Sequence, residues 1–211
     1  MIYIIGISII LAYLADKCLY KICKEIIKTK YITSFIYVSI VLNTVLIYYK
    51  YQSTLDFIKY ISLLPFIIII SIIDYKTTYI YDITLVSGII VQGAIFLITI
   101  NSKEELINYI IALLIGLTIP FVLVKTTKGL GEGDIGLFGL CCFSLGYNYS
   151  FYLIILSFVL ASIYCMYLIL IKKGKIRKIP FAPFISLATI MIMLTKFDLL
   201  NFYFYNIDRL F

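Results

Sequence analysis

Two aspartates at the borders of apolar runs are the first chemical signal in this sequence. Asp134 closes the stretch Gly129–Leu130–Gly131–Glu132–Gly133–Asp134, where three glycines sit at alternate positions between the apolar runs Ile107–Val124 and Ile135–Gly146. Asp74 follows the run Phe66–Ile73, whose one polar member is Ser71. A carboxylate beside lipid is costly and marks a functional site by default. Two carboxylates at one site cannot both ionise cheaply, so they share a proton. One can then act as general base on a water while the other, protonated, polarises a carbonyl. That chemistry is hydrolysis by paired aspartates, and it needs no histidine, metal or cofactor. Glycines next to Asp134 would let a backbone approach closely and adopt positive φ, so that an extended peptide segment could pair there.

The elements that hold these groups follow from composition. The chain has 211 residues, 63% hydrophobic and 14% charged, with mean hydropathy +1.07. Soluble domains run near 45–50% apolar and about 25% charged, so this is a multi-span membrane protein. Its apolar runs are of helix length and lack the alternation of a barrel. The expected fold is therefore an all-α, polytopic membrane helix bundle, one membrane-embedded domain over residues 1–211. With no histidine in the chain, Ser–His and Cys–His catalysis and histidine metal ligands are excluded. The five cysteines, Cys18, Cys23, Cys141, Cys142 and Cys165, form no Cys-x-x-Cys pair, which argues against a zinc site. Cys141, Cys142 and Cys165 read as small packing residues, and a stable disulfide between Cys18 and Cys23 is not expected. The net charge of +7 fits loops facing anionic lipid rather than nucleic acid.

A span needs about 17–25 apolar residues. Eight candidates appear: Ile2–Ala15, Ile32–Tyr49, Phe57–Ile73, Ile83–Ile100, Ile107–Val124, Ile135–Tyr149, Ser150–Ile171 and Pro180–Thr195. The first lacks the basic n-region and cleavage site of a signal peptide and reads as a retained span. With the N-terminus outside, 13 of the 18 Lys and Arg fall on the inside and 5 outside, a strong positive-inside bias. Merging the sixth and seventh spans moves the Lys172–Lys178 cluster outside and leaves 10 inside and 8 outside, so the bias disappears and eight spans are preferred. This topology puts Asp74, Asp82, Glu132 and Asp134 at the inner face, with the segment beginning at Ile179. The sixth span is short, so either Asp134 lies below the membrane surface or the helix continues through Tyr147 and Tyr149. Asp16–Lys30 reads equally as an amphipathic helix on the inner leaflet or as an extension of the first span. The aromatic tail after Thr195 reads as an outer interfacial segment.

Simpler readings apply residue by residue. Asp74 could be an interface anchor, and a G-x-G-D tetrad alone marks a turn. Asp82 reads as the N-cap of the fourth span, and Glu132 as solvated. Apart from hydrolysis, the chain could be a proton- or cation-coupled transporter, or a non-catalytic scaffold of a pilus or secretion assembly. The transporter is disfavoured because few polar residues, Asn43 and Gln92 among them, lie within spans.

Three segments in order resemble the type IV prepilin peptidases, GxGD-type intramembrane aspartic proteases. Gly129–Asp134 resembles their G-M-G-x-G-D motif, Ile73–Asp74 with Ile80–Tyr81–Asp82 their I-D…I-P-D segment, and Ile179–Phe184 their I-P-F-G-P-F segment. The resemblance implies removal of the short basic leader from type IV prepilins or pseudopilins, at the cytoplasmic face of a bacterial cell membrane. It implies Asp74 and Asp134 as catalytic, with Gly131, Glu132, Gly133, Asp82, Pro180 and Pro183 in the active-site loops or in substrate binding. Its partners are then the prepilin substrates and membrane lipid, with no metal and no cofactor. This chain departs from the pattern at Tyr81 (proline in the family), Ala182 (glycine) and Gly136 (often lysine). The first inner loop, Asp16–Lys30, has no room for the cysteine-rich zinc module of longer members, so peptidase activity is implied without support for N-methylation.

Overall fold

The computed structural model describes residues 2–23, 29–52, 54–100, 102–127, 129–172 and 179–195. They form eight α-helices: α1 (Ile2–Ile22), α2 (Lys30–Tyr51), α3 (Leu55–Thr77), α4 (Asp82–Thr99), α5 (Lys103–Thr127), α6 (Glu132–Leu145), α7 (Tyr147–Lys172) and α8 (Ala182–Thr195). The fold is a polytopic helical bundle, as the composition requires. Lys24, Lys28, the basic run from Lys173 to Lys178 and the aromatic tail after Thr195 lie outside the described residues.

α3 is the inner helix. Two-thirds of its apolar window is buried within the protein, against 17–28% for the other long helices. Those outer helices keep large apolar side chains such as Leu97, Ile98 and Leu170 on the outside, where only lipid can solvate them. α6 is the second inner helix, with nine of its 14 residues buried. It lies close against α5 because Gly116 and Gly139 leave no side chain between them. A Cβ on Gly116 would stand 2.7 Å from that of Cys142, and one on Gly139 would stand 2.7 Å from Leu117 Cδ2. Cys141 and Cys142 are indeed fully buried packing residues, and all five cysteines are free thiols.

Most expected boundaries move by a few residues, with Asp74 and Asp134 now inside α3 and α6, and three shifts have local causes or consequences. α1 does not stop at Ala15 but continues to Ile22. Of the two readings of Asp16–Lys30, continuation of the first helix therefore holds as far as Ile22. The reason is an inward face one helical period apart, in which Ala12, Ala15, Asp16, Leu19 and Cys23 are buried while Lys17 and Lys21 stay outside. Between the sixth and seventh spans the chain breaks at Gly146, not after Tyr149. Gly146 has φ +90°, which glycine adopts without penalty, and Asn108 Oδ1 of α5 accepts the Tyr147 N–H at 2.6 Å to start α7. α8 begins at Ala182 rather than Pro180.

Six of the eight helices are long and apolar enough to cross a membrane. α6 has 14 residues, about 21 Å at 1.5 Å per residue, some 9 Å short of a roughly 30 Å hydrocarbon core, and α8 has 14 residues among those described. Of the eight expected spans, six have full-span length among the described residues, and the sixth is short, as its sequence suggests. The end of α2, the starts of α3 and α5, and the α6–α7 turn line a common cavity at one end of the bundle. The end of α3 and the starts of α6 and α8 meet at the other.

Candidate active site

Asp74 lies in the last turn of α3. The helix stops at Thr78, whose left-handed conformation (φ 54°, ψ 32°) is uncommon for a residue with a Cβ. The Thr78 N–H closes onto the Asp74 carbonyl at 2.7 Å. The Asp74 side chain is 5% exposed, and it is covered by α8. Its Oδ2 accepts the N–H of Ala182 at 2.9 Å, and the Phe181 N–H is directed at the same carboxylate. The first N–H groups of a helix have no partner within it, and its N-terminus carries partial positive charge. A buried carboxylate satisfies both. Pro183 is tolerated in this first turn because its missing N–H would have had no helical partner.

One turn further in, a second contact fixes the register of α8 on α3. Ser71 and Ser186 hydroxyls lie 2.6 Å apart, and Ser186 donates to the Ile67 carbonyl at 3.0 Å. Phe181 packs its ring 5.0 Å from Phe158 of α7 and 6.1 Å from Phe138 of α6. The start of α8 is therefore held from three helices.

Asp134 is the third residue of α6. Its N–H donates to the Gly131 carbonyl at 3.2 Å, and its Oδ2 accepts the Gly131 N–H at 3.0 Å, the backward half of a capping box. It too is 5% exposed. Its Oδ1 is buried and has no hydrogen-bond partner among the described residues, so one oxygen is held and the other is not. α3 and α6 pack together, and Asp134 lies within electrostatic reach of Asp74.

The glycines work by close approach, and not by positive φ. Gly131 has φ −75°, and among the described glycines only Gly146 has a positive φ. A Cβ on Gly133 would lie 2.8 Å from Ile80 Cβ, so the α3–α4 connection rests directly on the first turn of α6. A Cβ on Gly136 would lie 2.7 Å from Leu85 Cδ1, so α4 takes the space of a side chain there.

The remaining candidates are spread around this pair. Glu132 is exposed in the first turn of α6. Asp82 is exposed and is the first residue of α4; the N-cap position belongs to Tyr81, so Asp82 is not the cap the sequence suggests. Pro180 and Pro183 are half-buried on either side of the two N–H groups that reach Asp74. Phe181, Ala182, Ile80 and Ser186 are contacts that sequence reasoning missed. The two prolines around position 182 were an available signal, since proline is favoured where a helix starts.

The sequence profile of the type IV leader peptidase family matches residues 61–166, just over half of the 211 residues. The chain belongs to this family. It is a membrane-embedded leader peptidase, a hydrolase of peptide bonds. No curated protein and no solved structure matches the chain. The matched region runs from α3 into α7 and includes Asp74, Asp82 and Gly131–Asp134. The start of α8, which supplies the N–H groups to Asp74, lies beyond it.

Proposed function

We propose that this leader peptidase is an aspartic endopeptidase in which Asp74 and Asp134 cut the short basic leader from type IV prepilins or pseudopilins. The observation that carries the proposal is two buried carboxyl groups on the inner helices α3 and α6, within electrostatic reach of each other, one of them capped by the start of α8. Asp74 accepts backbone N–H groups and so acts as the ionised member. The shared proton resides on Asp134 Oδ1, the oxygen without a partner. Asp134 transfers it to the oxygen of the scissile carbonyl while Asp74 takes a proton from the attacking water. A tetrahedral diol forms. Its collapse breaks the C–N bond, the amine leaves with the proton held by Asp74, and Asp134 recovers its own. Every proton is accounted for by the two carboxyls and one water.

The positive-inside count supports a cytoplasmic site, with the N-terminus outside. The 21 Å length of α6 supports a recessed one, since its far end at Leu145 borders the opposite cavity. Exposed Glu132 and Asp82 at the same end would attract a basic leader, which places the following apolar helix of the substrate against the bundle. Only residues 23–29 separate α1 from α2, too few for a zinc module, which supports peptidase activity without N-methylation.

Co-expression with a prepilin carrying a basic leader, followed by mass measurement of the product, tests the assignment. The expected product is a pilin shortened by its leader alone, with an unmethylated N-terminus. An intact precursor, or cleavage within the apolar helix, would rule the substrate class out.

A further inference from the structure

Phe181 reaches both halves of the carboxyl pair, by two different routes. Through its backbone it directs an N–H at the Asp74 carboxylate, beside the Ala182 N–H that Asp74 Oδ2 accepts at 2.9 Å. Through its side chain it reaches the other helix. Its ring centre lies 6.1 Å from that of Phe138 on α6, with the two planes tilted by 45°. Phe138 follows Asp134 by four residues, so the two share one face of α6, one turn apart.

α6 has no room to withdraw from this contact. On its α5 side, a Cβ on Gly116 would stand 2.9 Å from the Phe138 carbonyl oxygen, so the backbones of the two helices already touch there. The Phe138 ring is fully buried. Phe158 of α7 closes the group from a third side. It stacks on Phe138 at 6.4 Å with the planes 16° apart, and meets Phe181 at 5.0 Å. Aromatic pairs at such separations prefer defined orientations, and a packed interior transmits the displacement of a side chain rather than absorbing it. With α6 fixed on α5, the Phe181–Phe138 contact decides how near the start of α8, and the carboxylate it caps, stands to the Asp134 face.

We propose that Phe181 is a positioning residue whose ring, lodged against Phe138, sets the separation at which Asp74 and Asp134 act on one carbonyl. The inference rests on the reading of both aspartates as catalytic. It adds a second role to the start of α8, which caps Asp74 with its backbone and spaces the pair with a side chain.

The test is steady-state leader removal from a prepilin with a basic leader, by the full-length protein in membranes. Phe181→Leu keeps the backbone N–H and an apolar side chain but loses the ring. It should lower kcat by about tenfold or more, because misplacing reacting groups by about 1 Å costs on the order of 100-fold. KM should stay within about twofold, since substrate binding itself is untouched. Phe181→Tyr keeps the ring and should hold kcat within about threefold of wild type by the same displacement argument. Phe138→Leu should reproduce the loss, and the double variant should lose no more than the larger single one, because both remove the same contact. If one of the two leucine variants does not fold, the other carries the same expectation. Phe143→Leu is the control. It makes the same change on the same helix, in a ring group with Phe96 and Tyr109 at 5.4 and 6.2 Å, and should lower Tm while leaving kcat unchanged. Helix content by circular dichroism checks that each variant is folded. Wild-type kcat in folded Phe181→Leu, a change in KM alone, a Phe181→Tyr protein no better than Phe181→Leu, losses that multiply in the double variant, or an equal kcat loss in Phe143→Leu would each overturn the proposal while Asp74→Asn and Asp134→Asn stay inactive. Cleavage by either aspartate variant would instead overturn the aspartic reading beneath it.

Discussion

Gly133→Ala probes the site by adding one methyl group. The new Cβ would stand 2.8 Å from Ile80 Cβ, whereas carbon atoms rest at about 3.5–4.0 Å. Ile80 Cβ is bonded to the backbone and cannot swing aside, so the first turn of α6 and the α3–α4 connection must separate by about 1 Å. Asp134 moves with α6. A displacement of that size in reacting groups costs on the order of 100-fold in rate. Stability should change much less. The overpacking penalty of about 1–3 kcal/mol is offset by about 1 kcal/mol of helix propensity gained from glycine to alanine. Gly136→Ala is the matched control. Its contact is with Leu85 Cδ1 at 2.7 Å, the end of a side chain that can rotate, so the rate should stay within about threefold of wild type by the same displacement argument. The assay is single-turnover leader removal in membranes, beside thermal unfolding of each variant. Wild-type cleavage by a folded Gly133→Ala protein would refute the close-approach account, as would equal losses in both variants.

Other perturbations follow from the same contacts. Gly131→Pro removes the N–H held at 3.0 Å by Asp134 Oδ2 at a φ of −75° that proline accepts. Loss of a hydrogen bond to the neutral carboxyl, about 0.5–1.5 kcal/mol, should lower single-turnover cleavage by about 2- to 10-fold. Ser186→Ala breaks the Ser71–Ser186 link but leaves Ser71 its own carbonyl partner, Ile67 O at 2.6 Å. It should cost about 1 kcal/mol, seen as a lower Tm, with cleavage changed by no more than a few-fold. The pH profile of kcat should be bell-shaped. Acid protonates the base on Asp74 and alkali removes the proton of Asp134, so a rate that only rises or only falls across the stable range would contradict the shared-proton mechanism.

The parts legible in the sequence were those that lipid makes conspicuous. Helix-length apolar runs gave the bundle, and a carboxylate that ends such a run is costly enough to draw notice, which singled out Asp74 and Asp134. Gly146 was harder. A short apolar helix followed by a turn reads like a longer one when Tyr147 and Tyr149 are as tolerable at an interface as in a span. The α8 contact was hidden for a different reason. Its donors are the backbone N–H groups of Phe181 and Ala182, and no side-chain pattern records which helix end meets which carboxylate. Glycine spacing flagged the Gly129–Asp134 loop and offered two causes, of which close approach holds and positive φ does not. Positive φ and close approach both select glycine, and only the position of Ile80 separates them. Asp82 shows the limit of local rules, since it satisfies the N-cap signature one residue after the cap.

The central claim is that Asp74 and Asp134 together perform hydrolysis, and it is tested most directly by leader removal with Asp74→Asn and Asp134→Asn. Asparagine keeps the shape of each side chain, and its amide oxygen can still accept the Ala182 or Gly131 N–H, so both variants should accumulate in the membrane. Each is predicted to leave the precursor uncut. Cleavage at the wild-type rate by either variant would contradict the account.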